Sequence, residues 1–194
     1  MHAENPVPDL PPYSLDVQAM DLGPSVKAIG LELIETESRE PLRGPEAAAI
    51  WAAVVIALAA TEFQVVDFFS HLDRVRDFCA THAIAYREAA SRCLVIPQPS
   101  LKLLGLLLAR FQSETFGLRV GPAAAAEDPA LESELSRGGL DAYQPAYSRY
   151  KFCAICEPSD GWVTVLSQTL WPSEIIRRIR PALEPFDVYI ARPQ

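Results

Sequence analysis

The longest uninterrupted apolar run in this chain is Ala47 to Ala60, AAAIWAAVVIALAA, which contains no charge, glycine or proline. A bilayer-spanning helix needs about 20 such residues. Glu46 and Glu62 close this run on both sides, and a shifted window takes in Glu62 and then Asp67. Burying one carboxylate at bilayer depth costs about 2.5 kcal/mol or more. The run therefore predicts a helix that is apolar on every face and enclosed by protein. Gly44 and Pro45 mark its start, and Glu46 lies beside the positive end of the helix dipole. Its alanines allow neighbouring helices to approach closely.

Other segments carry weaker periodicity. In Ser25 to Glu35 (SVKAIGLELIE), Ile29, Leu31 and Leu33 alternate as in a strand, whereas Val26, Ile29 and Leu33 fit a helix opened by Pro24. The helix formers of ELIETESRE favour the helix, which Pro41 would end. Phe63 to Thr81 is expected to be helical: Val65, Phe69, Leu72, Val75 and Cys79 recur every three or four residues, opposite Arg74 and Asp77. Arg92 to Pro97 reads as a short strand. Ser100 to Phe116 reads as an apolar helix with a serine cap and a Gly117 stop. A linker over 118–127 then leads to a short helix from Asp128 to about Arg137.

The last third changes character. Tyr147 to Cys156 is rich in aromatics and reads as a strand. A turn at Glu157 to Gly161 leads into the alternating Trp162 to Ser167. Pro172 to Ala182 predicts an amphipathic helix with Ile175, Ile176 and Ile179 inward, and Phe186 to Ile190 a closing strand. The expected fold is α+β: an N-terminal helical layer around a buried apolar helix, with a small C-terminal antiparallel sheet carrying one helix (β-β-α-β). Residues 1–13 read as a Pro-rich tail, 14–122 as the helical part of a single domain, 123–140 as a linker with a short helix, and 141–194 as the hairpin-helix-strand part. No internal repeat is evident.

Composition narrows the classes of function. The chain has 194 residues, 49% of them apolar and 22% charged, as in ordinary globular proteins. Its net charge of −8 repels phosphate backbones and anionic lipid heads. Nucleic acid and membrane surfaces are therefore not expected as partners. The acidic excess lies N-terminal to residue 141. Arginine outnumbers lysine, and alanine and proline are abundant, which points to a GC-rich bacterial source. The N-terminal segment lacks the basic start of a signal peptide, and its prolines break any early helix. The four cysteines accordingly read as reduced cytoplasmic thiols.

Four groups of residues carry candidate chemistry. Cys79 and His82 with Cys153 and Cys156 contain ligand types for a tetrahedral zinc site. On a helix the first two lie on neighbouring positions, but a strand sends Cys153 and Cys156 to opposite faces. Cysteine also favours buried, inert positions, so no cofactor is expected and zinc is the alternative. Asp67 and His71 share a helix face if the segment is helical, with Glu62 nearby, and could act as an acid/base or metal pair. Tyr143, Tyr147, Tyr150 and Phe152, with Trp162 and Trp171, could line a ligand or partner surface or fill one side of a sheet. Arg177, Arg178 and Arg180, with Arg149 and Lys151, could form a basic patch or answer a helix dipole.

No GxGxxG, P-loop, GxSxG or HExxH motif is present. A Cys–His dyad would have to be assembled in space, from Cys93 or Cys156 with His71 or His82. The expectation is a non-enzymatic cytoplasmic binding or accessory protein that acts through a partner protein or peptide, by strand addition to an edge of the C-terminal sheet, or through a homo-oligomer. The alternatives are a small-ligand sensor or enzyme, its pocket between helices and sheet lined by Asp67, His71 and the tyrosines, and a zinc-binding protein.

Overall fold

The computed structural model describes residues 10–21, 27–58, 63–67, 72–90, 93–96, 101–111, 117–121, 152–157, 162–167 and 171–191. The expected linker and short helix over 123–140 lie outside them, as do Tyr143, Tyr147, Tyr150 and His71. The fold contains both helices and a mixed sheet, and is α+β.

The elements in chain order are strands β1 (Tyr13–Asp21) and β2 (Lys27–Glu35), helix α1 (Pro45–Leu58), strand β3 (Phe63–Asp67) and helix α2 (Leu72–Thr81). Strands β4 (Arg87–Ala90) and β5 (Cys93–Ile96), helix α3 (Leu101–Phe111) and strand β6 (Gly117–Gly121) follow. Strands β7 (Phe152–Glu157) and β8 (Trp162–Ser167), helix α4 (Pro172–Leu183) and strand β9 (Val188–Ile190) complete the described fold.

The strands form one sheet in the order β4-β5-β3-β6-β7-β8-β2-β1-β9. Every neighbouring pair is antiparallel except β1 and β9, which run parallel. The antiparallel pairs β1–β2 and β7–β8 meet through β2 and β8, with Ile29 opposite Val165 and Leu31 opposite Val163. The strand that follows α4 then lands beside β1, on the flank of the other strand pair.

Three sequence expectations are corrected here. Gly117–Gly121, expected to be a helix stop and the start of a linker, is a strand paired on both sides by β3 and β7. Lys27–Glu35 is a strand, not a helix. Its alternating Ile29, Leu31 and Leu33 lie buried in the core, and hydrogen-bonded neighbours on both sides outweigh the helix propensity of Glu and Leu. Phe63 to Thr81 is not one helix: Phe63–Asp67 is a strand and only Leu72–Thr81 is helical. The β-branched pair Val65-Val66 sits between two partner strands. Asp67 therefore belongs to a strand, and the i, i+4 helical pairing imagined for it with His71 lacks its helix.

The apolar run forms α1, buried along Ala47, Ala48, Ile50 to Val55 and Leu58. Gly44, at φ +95°, turns the chain into the helix, and its carbonyl accepts the first helical bond from the Ala48 amide at 3.1 Å. This backbone conformation strains any residue with a Cβ. Small residues set the contact with α3: a Cβ placed on Gly105 would stand 4.0 Å from the Ala52 Cβ, at ordinary contact distance. Leu107 and Leu108 of α3, Ile175, Ile179 and Leu183 of α4, and Val75 and Cys79 of α2 join the same core. No helix among the described residues is long and apolar enough to cross a membrane.

Candidate functional site

Among the described residues the edge of the sheet at β1 is only partly occupied. Strand β2 pairs with β1 along its whole length, from Tyr13 opposite Glu35 to Asp21 opposite Lys27. Strand β9 pairs only with Tyr13, Ser14 and Leu15. The last bond of this parallel ladder runs from the Ala191 amide to the Leu15 carbonyl, at 3.0 Å. Backbone polar groups alternate sides along a strand. Leu15 faces β9, so Val17 and Ala19 direct their N–H and C=O groups to the same side. Among the described residues no strand meets them there. The even positions face β2, in step with the Thr36 amide bonding the Pro12 carbonyl at 2.9 Å.

The side chains along this edge differ by face. Leu15 and Val17 are buried in the core, Ala19 further along the same face is exposed, and Gln18 is exposed on the other face. On the other face the Ser14 hydroxyl donates to Asp16 at 3.1 Å, and Asp16 pairs with Arg39 at 3.5 Å. Arg39 reaches Asp16 from a turn in which it holds φ +63°. The opposite edge of the sheet is guarded. Strand β4 has only four residues and an irregularity between Glu88 and Ala90. Its Glu88 carboxylate is bound at 2.8 Å by Arg76 of α2, which also pairs with Asp73. Short, bulged and charged strands resist pairing. These carboxylates hold the Arg76 guanidinium above its ordinary pKa, with Glu88 as the main cause.

A second concave feature lies along α2, beside the last turn of α3. Arg74, Asp77, Phe78, Thr81, His82 and Arg110 line a groove of about 360 Å³. The Phe78 and His82 rings stand 4.3 Å apart at 41°. The Thr81 hydroxyl donates to the Asp77 carbonyl at 2.8 Å, which holds the last turn of α2 together.

The residues singled out in the sequence are distributed differently. Cys79 is wholly buried in the core, where desolvation raises its thiol pKa, while His82 is exposed beyond the helix end. Cys153 and Cys156 lie in β7 and Trp162 begins β8, but their side chains lie outside those described, as does that of Asp67. Among the described residues no three His, Cys, Asp or Glu side chains gather as metal ligands do. Trp171 is 57% exposed at the N-cap of α4, where its amide donates to Glu174 at 2.8 Å. Arg177, Arg178 and Arg180 lie on the exposed side of α4, away from Ile175, Ile179 and Leu183.

Sequence reasoning missed the β1 edge, although Leu15, Val17 and Ala19 alternate with Ser14, Asp16 and Gln18 in a period of two. It noted Arg74 and Asp77 only as the polar side of a helix. The groove draws on two helices, and no spacing in the sequence joins them. No family model, no curated protein and no solved structure matches this chain.

Proposed function

We propose that this chain is a non-enzymatic cytosolic accessory protein that captures an extended segment of a partner protein along the open edge of β1. The observation that carries this reading is the mismatch between the nine-residue β1 and the three-residue β9 beside it. Val17 and Ala19 offer two donors and two acceptors to an added strand. Each backbone bond contributes a net ~0.5–1.5 kcal/mol, and side-chain contacts supply the selectivity. A partner residue placed beside Val17 faces the core side and is apolar, and its neighbours in the partner strand are polar. The net charge of −8 favours a basic segment over an acidic one. The guarded β4 edge makes the β1 edge the better site for addition.

The test is a screen of displayed peptides, with binders measured by fluorescence polarisation against the native protein and Ala19→Pro. Proline at Ala19 removes the donor that faces the open side. Peptide binding that is lost in Ala19→Pro, with slowed amide exchange at Val17 and Ala19 in the native complex, supports the reading. Binders that bind Ala19→Pro as tightly as the native chain sink it. A native dimer that Ala19→Pro converts to a monomer would give the edge to a second copy of the chain instead.

A further inference from the structure

The segment that shields the start of the β1 edge is lightly anchored. Helix α4 is pinned by Ile175, Ile179 and Leu183, all buried in the core. Beyond one 3-10 turn, Glu184–Phe186, burial fades: Val188 and Ile190 are partly buried and Tyr189 is 52% exposed. Asp187 alone joins that turn to β9, and it holds the left-handed conformation at φ +51°. That conformation is unfavourable for residues with a Cβ, though Asp and Asn tolerate it best. Strand β9 pairs through three residues only, and in parallel, the less stable arrangement per residue. A segment with so little burial and so short a ladder opens ahead of global unfolding.

The residues that β9 covers give this looseness a use. Tyr13 and Leu15 direct their backbone groups to the same side as Val17 and Ala19. While β9 is docked, an added strand reaches only Val17 and Ala19. Once β9 lifts, Tyr13 and Leu15 join them in one continuous ladder. We infer that β9 is a displaceable strap, which swings about Asp187 while a partner strand takes its place against Tyr13 and Leu15. The inference rests on the strand-addition reading above and supplies its regulation. Helix α4 stays in place, because its anchors precede the hinge. The docked strap competes with the partner, so the apparent affinity is reduced in proportion to the fraction of molecules with β9 lifted.

The experiment compares the full native chain with Ala191→Pro, which removes the amide that donates to Leu15. The probe is a peptide of about ten residues of alternating valine and lysine, near the upper length of common strands. In the free native chain the Ala191 amide should exchange at least about tenfold faster than those of Ile29 and Leu31, in the ladder between β2 and β8. The peptide should slow exchange at Val17 and Ala19 and speed it at Ala191. It should bind Ala191→Pro about fivefold more tightly than the native chain, as the loss of one backbone bond from the strap implies. An Ala191 amide as slow as those of Ile29 and Leu31 overturns the strap and leaves strand addition standing. So does a peptide that slows Val17 and Ala19 while Ala191 keeps its protection, or that binds both chains equally. A peptide that binds neither chain removes strand addition, and the strap with it.

Discussion

The Leu15 carbonyl accepts the Ala191 amide at 3.0 Å, the furthest bond from the C-terminal segment along β1 among the described residues. Two residues further on, Val17 directs its backbone to the same side, and among the described residues no strand meets it.

Adjacent prolines in β1 are expected to have opposite consequences. At Ala19 the lost N–H faces the open side and proline's fixed φ suits an edge strand. At Gln18 the lost N–H belongs to the β1–β2 ladder and leaves a carbonyl of β2 unsatisfied, costing ~1–3 kcal/mol. Urea denaturation of Ala19→Pro should stay within about 0.5 kcal/mol of the native chain, as for surface changes generally. Equal losses at both positions would show that the donor of Ala19 is already engaged.

The core presents a contrast between shape and polarity at Trp51. This residue is 1% exposed, and among the described residues its indole N–H has no hydrogen-bond partner. An orphaned buried donor costs ~1–3 kcal/mol. Trp51→Phe removes that cost together with part of the ring volume, so the two effects offset and stability should change by less than ~2 kcal/mol. Trp51→Ala leaves a cavity with no such offset and should cost ~3–5 kcal/mol. Denaturant midpoints at constant m-value distinguish the two.

The buried thiol predicts a pH dependence with a definite sign. Desolvation raises the Cys79 pKa above the ordinary thiol value of 9.0. Above that value the unfolded chain releases the thiol proton while the folded chain keeps it, so folding stability falls as pH rises. Below it the contribution is constant. The slope from this group is at most ~1.4 kcal/mol per pH unit, and Cys79→Ala should remove it. The check is urea denaturation from pH 7 to 10, paired with alkylation mapping. The native Cys79 peptide should remain unlabelled under conditions that label the unfolded chain.

How much of this was legible in the sequence differs by element. The α+β class and the apolar helix could be read because Ala47 to Leu58 is apolar in every direction, a pattern that does not depend on knowing the neighbours. Lys27–Glu35 could not be read in the same way. Its Ile29, Leu31 and Leu33 satisfy two periods, and the choice between them is made by β1 and β8, which come from distant positions in the chain. Phe63–Asp67 is similar, since its apolar Phe63, Val65 and Val66 join smoothly onto the period of the helix beyond it. The candidate sites were less legible still. The open edge is defined by where β9 stops, and the groove by where α2 passes the last turn of α3, and both are facts about relative placement.

The meeting of β2 with β8 also governs the order in which the protein can assemble. Both flanks of the β1–β2 pair are completed by segments from the far end of the chain. As synthesis proceeds, the β1–β2 pair waits with two bare edges until Trp162–Ser167 and then Val188–Ile190 leave the ribosome. Pairings this distant in sequence fold slowly and expose strand edges meanwhile. During synthesis the nascent chain therefore passes through an interval of aggregation risk that the finished sheet reduces.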